Sequence, residues 1–183
     1  MKRVRGALAA GLAMCAACVM SSANAEEPVD EYPFGLSFLP VRGLEAPGPD
    51  SGVWIFRLNL LAGCNRSVSG LDLGTVGNWT TDDVCGLAFA AGYNVCGGSG
   101  SGLQLSCVNF TEREQNGVQL GLGNMTWGIN GLQLGVVNAT SEGHGVQIGV
   151  LNLAESFSGL QLGLLNMNQA SALAMMPVLN AWF

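Results

Sequence analysis

A short phrase of alternating apolar and polar residues recurs along this chain. It reads GLQLGVVN at 131–138, GVQIGVLN at 145–152 and GLQLGLLN at 159–166. Leucine, valine or isoleucine alternates with glutamine or glycine at period two, which predicts β-strands. Two glycines in every unit of about 14 residues would destabilise a helix. The pattern therefore predicts an all-β protein built from tandem repeats.

More divergent copies of the phrase precede and follow these three. The opening glycine, or the residue that stands in its place, falls at Arg57, Gly70, Gly86, Gly102, Gly117, Gly131, Gly145, Gly159 and Leu173. These positions predict nine repetitive units, most of them 14–16 residues long, with the extra residues in the first half of the array.

Two arrangements of the strands are compatible with the repeat. In a solenoid-like stack each unit forms one coil, at about 4.8 Å per strand. In an antiparallel meander or small barrel, successive strands reverse direction. One asparagine recurs in every unit, at Asn65, Asn78, Asn94, Asn109, Asn124, Asn138, Asn152, Asn166 and Asn180. In-register stacking would let these amides hydrogen-bond from coil to coil, which favours the solenoid.

Asparagine is also a common turn residue, so the antiparallel alternative stays open at this point. The best candidates for a repeat ladder are the asparagines of the more regular half, Asn109, Asn124, Asn138, Asn152 and Asn166.

A second polar row is formed by glutamine. Gln104, Gln119, Gln133, Gln147 and Gln161 fall on the strand face opposite the leucines. This row has two interpretations: a structural amide ladder, or a flat and repetitive recognition strip.

The chain divides into three parts. Residues 1–25 have the basic start, the apolar stretch and the Ala-Asn-Ala site of a secretory signal peptide. Residues 26–53 form an N-terminal cap and a Pro/Gly linker. Residues 54–183 form the β-repeat domain. Cys15 or Cys18 offers a lipid-modified start as an alternative, although both lie in poor sequence contexts for it.

The charge balance restricts the partners. Removal of residues 1–25 would leave four arginines against all 13 acidic residues, a net charge of −9 with no lysine. Such a surface repels nucleic acid, so no nucleic-acid partner is expected. The signal predicts export to the cell surface, the outer membrane or the periplasm.

Cysteines in the exported part predict disulfides. Cys64, Cys85, Cys96 and Cys107 are even in number, as in oxidised exported proteins. We predict the pairs Cys64–Cys85 and Cys96–Cys107, or a lone Cys85–Cys96 link. A Cys64–Cys107 bridge would span three coils, too far for regular stacking.

Candidate chemistry is sparse. His144 is the only histidine, in a polar turn, and its neighbours offer no catalytic triad. A carboxylate pair such as Glu112 and Glu114 could in principle do acid–base work, but a charged turn explains it better. The sequence therefore predicts no enzyme, no metal site and no cofactor.

The opening RLNLLAGCNRSVSGLDLG at 57–74, the GLQLGLLN-type units and the closing PVLNAWF at 177–183 occur in one order. In this order they resemble an uncharacterised bacterial family of exported "surface repeat" proteins, over about residues 54–183. The resemblance implies a bacterial cell-envelope protein. It implies no activity and no catalytic residues.

We therefore expect an exported envelope repeat protein that acts as a structural or binding surface for a protein or glycan at the cell surface. The alternative is a small outer-membrane β-barrel. The terminal Phe183 and the apolar positions Leu132, Leu134 and Val136 suit that alternative and membrane association.

Overall fold

The computed structural model describes residues 30–39, 44–171 and 173–183. The predicted signal segment therefore lies outside the described residues. Within them the chain forms strands and no helix, and none of these residues forms a membrane-spanning helix. The strands are β1 (Glu31–Ser37), β2 (Glu45–Ala46), β3 (Gly52–Asn59), β4 (Ala62–Asn65), β5 (Ser67–Gly74), β6 (Gly77–Thr80), β7 (Val84–Ala90), β8 (Tyr93–Cys96), β9 (Gly100–Leu105), β10 (Val108–Leu120), β11 (Gly123–Leu134), β12 (Val137–Ile148), β13 (Leu151–Asn168) and β14 (Met175–Trp182).

The strands stack in parallel and in register. Each of β10, β11 and β12 pairs in parallel with the next strand along the chain. Equivalent repeat positions face one another, as Asn124 faces Asn138 and Gln133 faces Gln147. The result is a β-solenoid of about seven turns with about 15 residues per turn. The predicted all-β solenoid is confirmed, and the antiparallel meander or small barrel is not the fold.

One coil has four parts, which we name from residues 137–150. The asparagine face is the strand segment Val137–Thr140, and the polar edge follows at 141–144. The glutamine face is the segment 145–148, and the apolar turn at 149–150 leads into the next coil. In the first coils the two faces are separate strands, whereas β10 to β13 run continuously around the polar edge.

Glycine opens each glutamine face for a steric reason. The backbone there has φ between +108° and +148° at the first glycine of seven successive units, from Gly70 to Gly159. A Cβ at Gly145 would lie 2.0 Å from the carbonyl oxygen of Gly131 in the preceding coil. Only glycine combines this φ with so close an approach between coils.

The two ends of the array depart from the predicted units. Arg57 faces Asp72, two positions beyond the glycine site. Asn65 faces Thr80, whereas Gly63 faces Asn78. The alignment of the first unit was therefore wrong by two residues, because its asparagine and its arginine do not occupy the repeat positions assigned to them.

The prediction of a ninth stacked unit was also wrong. β14 pairs with β13 in the antiparallel direction, so Asn180 faces Gln161 rather than another asparagine. At the other end, β1 adds in parallel to β3 and β2 turns back on β1. A reversed strand thus closes each end of the stack, which leaves less open edge for pairing with another chain.

Glu45 lies at the N-terminal end of the stack in an unfavourable electrostatic setting. Burial raises the pKa of its carboxyl from 4.5 to about 7, and the positive charge of Arg57 only partly offsets this. Among the described residues no side chain donates a hydrogen bond to this carboxylate, and a backbone hydrogen bond from Cys64 is the smallest of the three effects on its pKa.

We expect Glu45→Gln to remove a pH dependence of stability. The folded state holds the proton up to about pH 7 and the unfolded state only to about 4.5. The free energy of unfolding should therefore fall as pH rises through this window, by about 1–2 kcal/mol, since solvent near this half-buried residue reduces the effect. Denaturant titrations at pH 5 and pH 8 measure it, with the exposed Glu142→Gln as control. An equal pH dependence in wild type and Glu45→Gln would contradict the assignment.

Candidate interaction surfaces

The interior of the solenoid is polar, and asparagine forms its first ladder. The side-chain amide of Asn124 donates to Asn138 at 2.9 Å, Asn138 donates to Asn152 at 2.8 Å, and Asn152 donates to Asn166 at 2.7 Å. The row continues upstream through Asn109, Asn94 and Asn78 to Asn59. Asn109, Asn124, Asn138, Asn152 and Asn166 are all fully buried.

Each ladder amide also closes the apolar turn beside it. Asn138 donates its second N–H to the carbonyl oxygen of Ile148 at 2.9 Å, and Asn152 donates to Leu162 in the same way. The glycine of the turn leaves room for this, since a Cβ at Gly149 would lie 2.7 Å from the amide nitrogen of Asn138. The asparagine thus supports both the stack and the turn.

Removal of one central rung should cost about 2 kcal/mol of unfolding free energy. Asn138→Ala leaves the amide oxygen of Asn152 without its donor and one amide N–H of Asn124 without its acceptor, and each unpaired buried group costs about 1–3 kcal/mol. The matched control is Asn130→Ala, because Asn130 donates to Asn116 in the same amide geometry at 3.1 Å but in solvent. Urea denaturation should separate the two variants. An equal loss of unfolding free energy in the two variants would mean that the buried ladder stabilises the fold no more than the exposed amide pair does.

Glutamine forms the second interior ladder. Gln119 donates to Gln104 at 3.0 Å, and the chain of amides continues through Gln133 and Gln147 to Gln161 at 2.7–2.9 Å. All five side chains are buried. The interpretation of this row as a surface recognition strip is therefore wrong: the glutamines point inward and no partner can reach them.

In the first coils an ion pair takes the place of the glutamine ladder. Arg57 and Asp72 occupy the register position of Gln104 and Gln119 and are buried. The guanidinium group of Arg57 contacts both carboxylate oxygens of Asp72 and also donates to Asn65 at 3.1 Å. The sequence analysis did not find this pair, although a lone arginine in an apolar strand was an available signal.

Apolar side chains cover the outside. On the glutamine face, the positions on either side of each inward glutamine point outward and form two apolar rows along the stack. The first row is Phe56, Leu71, Leu87, Leu103, Val118, Leu132, Val146 and Leu160. The second row is Leu58, Leu73, Phe89, Leu105, Leu120, Leu134, Ile148 and Leu162. On the asparagine face, Val108, Val137 and Leu151 lie in one outward row, with Phe110, Met125 and Ala139 in the next.

The apolar turn continues this surface between the two faces. Its tip carries Leu122, Val136, Val150 and Leu164, whose side chains are all exposed, up to 72% for Leu164. The small buried apolar cluster of Ile129, Ala154 and Phe157 lies instead beneath the polar edge. Polar and apolar groups are thus arranged inversely to an ordinary core.

The polar edge carries the charge. The charged residues Arg66, Asp82, Asp83, Glu112, Arg113, Glu114, Glu142 and Glu155 all lie between an asparagine face and the next glutamine face. Arg66 and Asp82 form an ion pair of 2.9 Å there. The exposed row Ser101, Asn116, Asn130 and His144 runs alongside at one residue per coil.

One groove interrupts the polar edge. The unit from Gly102 to Gly117 has 15 residues against 14 in the next unit, and the register of β10 shifts between Thr111 and Glu114. The bulge opens a cavity of about 620 Å³, lined by Gly97, Ser99, Glu112, Arg113, Glu114 and Trp127. The indole of Trp127 is 56% exposed. Glu112 and Glu114 therefore lie together in this groove, whereas His144 does not line it.

The structure shows none of the predicted disulfides among Cys64, Cys85, Cys96 and Cys107. Cys85 lies in the row of Ser69 and Ser101 at the polar edge, whereas Cys96 faces Thr80 on the asparagine face. Cys64 faces Trp79 on the asparagine face, whereas Cys85 lies at the polar edge of that neighbouring coil, so the two cysteines belong to different rows. Cys107 lies at the apolar turn, at the other end of the face from Cys96.

The thiols should react in two classes. Cys85 and Cys107 are exposed, whereas Cys64 and Cys96 are buried, and burial raises the pKa of the Cys96 thiol to about 12. Because the thiolate is the reactive form, we expect alkylation of Cys85 and Cys107 in the folded reduced protein at pH 8. Cys64 and Cys96 should react only after denaturation. Peptide mass mapping measures this, and rapid modification of Cys96 in the folded state would contradict it.

Among the described residues no group of three or more histidine, cysteine, aspartate or glutamate side chains could hold a metal ion. Comparison of the chain with protein-family models, with curated proteins and with solved structures finds no match.

Proposed function

We propose that this chain is an exported bacterial envelope protein that acts by binding, and that a glycan contacts its polar edge. The observation that carries the proposal is the groove at Trp127. There an exposed indole lies beside two carboxylates and a guanidinium group, Glu112, Glu114 and Arg113. Sugar rings combine an apolar C–H face with hydroxyl groups, so they match an aromatic surface bordered by hydrogen-bonding groups.

The repeat supports the same proposal. Hydrogen-bonding side chains recur along the polar edge once per coil, from Ser101 through Asn116 and Asn130 to His144. A rigid stack thus presents a periodic polar strip next to the groove, as extended repeat bodies do when they bind partners. The signal-like segment at 1–25 and the family resemblance support an envelope location.

The test compares two tryptophans of similar exposure. Trp127 is 56% and Trp54 is 52% exposed, but only Trp127 lines the groove. With purified cell-envelope polysaccharide as the ligand, Trp127→Ala should weaken binding at least about tenfold, as expected of a tryptophan anchor. Trp54→Ala should bind as the wild type does.

Isothermal titration calorimetry measures both affinities. Absence of polysaccharide binding by the wild type, or an equal loss in both variants, would contradict the glycan proposal. Binding of an envelope protein that depends on Trp127 would instead replace the glycan with a protein partner at the same groove.

A further inference from the structure

The apolar exterior of the solenoid is at least as large as the largest apolar patches of ordinary monomeric proteins. Coils about 4.8 Å apart over about seven turns, and about six outward-turned residue steps of 3.3 Å, give roughly 670 Å². Apolar patches on monomeric proteins reach about 300–600 Å², and one partner contributes about 800 Å² to a standard interface. The row at the turn tip alone includes Leu61, Val76, Leu122, Val136, Val150 and Leu164, all at least 38% exposed.

This exterior carries no charge in the repeat coils. Every charged side chain from Arg66 to Glu155 lies on the polar edge, except Asp72, which is buried in its ion pair with Arg57. The repeat asparagines and glutamines of the two faces point inward and bond one another in the two ladders. Moving the two faces and the turn out of water would therefore desolvate no charged side chain.

The backbone of the turn is also satisfied internally. The N–H of Val136 donates to Leu122 at 2.9 Å, and the N–H of Val150 donates to Val136 at 2.9 Å. The N–H of Gly135 donates to Ile148 at 3.0 Å. Internal pairing of backbone groups is the main condition for placing protein in hydrocarbon, and these N–H groups of the turn meet it.

We propose that the two apolar faces and the apolar turn are embedded in the hydrocarbon of a lipid bilayer, with the polar edge left in water. A second copy docked on one flat face would leave the other face and the turn exposed. A fluid hydrocarbon covers all three at once, which decides between the two occupants. The acidic polar edge then faces away from the lipid, so binding should not require anionic headgroups.

The C-terminal cap continues the same surface. On β14 the side chains of Met175, Val178, Leu179 and Trp182 are 40–68% exposed, and Phe183 is 93% exposed. These residues extend the apolar exterior past the last coil instead of closing it with polar groups. The cap thus matches a lipid environment in the same way as the turn.

The experiment is flotation of the purified chain with phosphatidylcholine vesicles. The test variant is Leu122→Glu/Val150→Glu/Leu164→Glu, which places three charges on the apolar turn. The matched control is Ser101→Glu/His144→Glu/Ser156→Glu, which places three charges on the polar edge. Wild type, test variant and control have the same N-terminal segment, so a difference in flotation between them comes from the substituted positions.

Wild type and control should float with the vesicles at low and at high salt. The turn variant should partition at least about tenfold less, since charges in hydrocarbon are costly. Circular dichroism should show the same strand content in all three proteins. Trp127→Ala should float as the wild type does, which separates this proposal from the glycan groove.

Equal flotation of the two charge variants, or no flotation of the wild type, would overturn the proposal. A dimer that forms without lipid and is dissociated by the turn charges, in a protein that does not bind vesicles, would assign the apolar exterior to a second copy instead.

Discussion

Asp72→Asn should lower the free energy of unfolding by about 3–5 kcal/mol, because it leaves a buried guanidinium without its counter-charge. Arg57 is 0% exposed and donates to Asp72 at 2.7 Å, to Asn65 at 3.1 Å and to the carbonyl oxygen of Trp79 at 3.0 Å. Asparagine keeps the volume of Asp72 but turns one acceptor into a donor facing Arg57. Denaturant titration measures the loss.

A second ion pair supplies the control. Arg66 and Asp82 are 2.9 Å apart but 32% and 54% exposed, so Asp82→Asn should cost less than about 1 kcal/mol. The double variant Arg57→Gln/Asp72→Gln should recover part of the loss, because two amides at these positions reproduce the Gln104–Gln119 contact. A cost for Asp72→Asn no larger than that for Asp82→Asn would show that the buried pair is not needed.

Gly145→Ala should destabilise the solenoid by at least about 3 kcal/mol. The residue has φ +132°, and a Cβ would lie 2.0 Å from the carbonyl oxygen of Gly131 and 2.9 Å from its carbonyl carbon. Both contacts are to backbone, so relief requires the coils to move apart, which breaks hydrogen bonds between coils in addition to the strain of about 1–3 kcal/mol.

Gly123→Ala is the matched control for this variant. Gly123 lies in a strand of the same stack, its φ is not in the left-handed region, and a Cβ there would meet no atom within 4 Å. We expect a change within about 0.5 kcal/mol. Thermal unfolding of the two alanine variants should differ clearly, and similar melting temperatures would mean that the coils can separate without cost.

The sequence by itself determined the fold class and the internal pairing. Nearly identical units stack most simply with like residues opposite, so the period-two pattern and the asparagine row already predicted parallel coils. The same repetition accounts for the hydrogen bonds from Asn109 to Asn166. Local pattern sufficed here because each coil contacts only its neighbours.

Only the tertiary structure decided which side of each strand lies inside. Alternation separates Gln133 from Leu134 but does not say which of them is buried. The closed coil places both amide rows in the interior, where each amide finds a partner in the next coil, and leaves the leucines outside. A rule that apolar residues lie inside would have chosen the other side.

The ends also depended on contacts that the repeat does not encode. Arg57 resembled a repeat position in sequence, yet it pairs with Asp72 in the next coil. β14 resembled a ninth unit, yet it turns back on β13. The cysteines suggested disulfides, but the register places them on different rows. β14 reverses because the last coil has no further neighbour to fix its direction. Arg57 pairs with Asp72 because a buried charge needs a counter-charge.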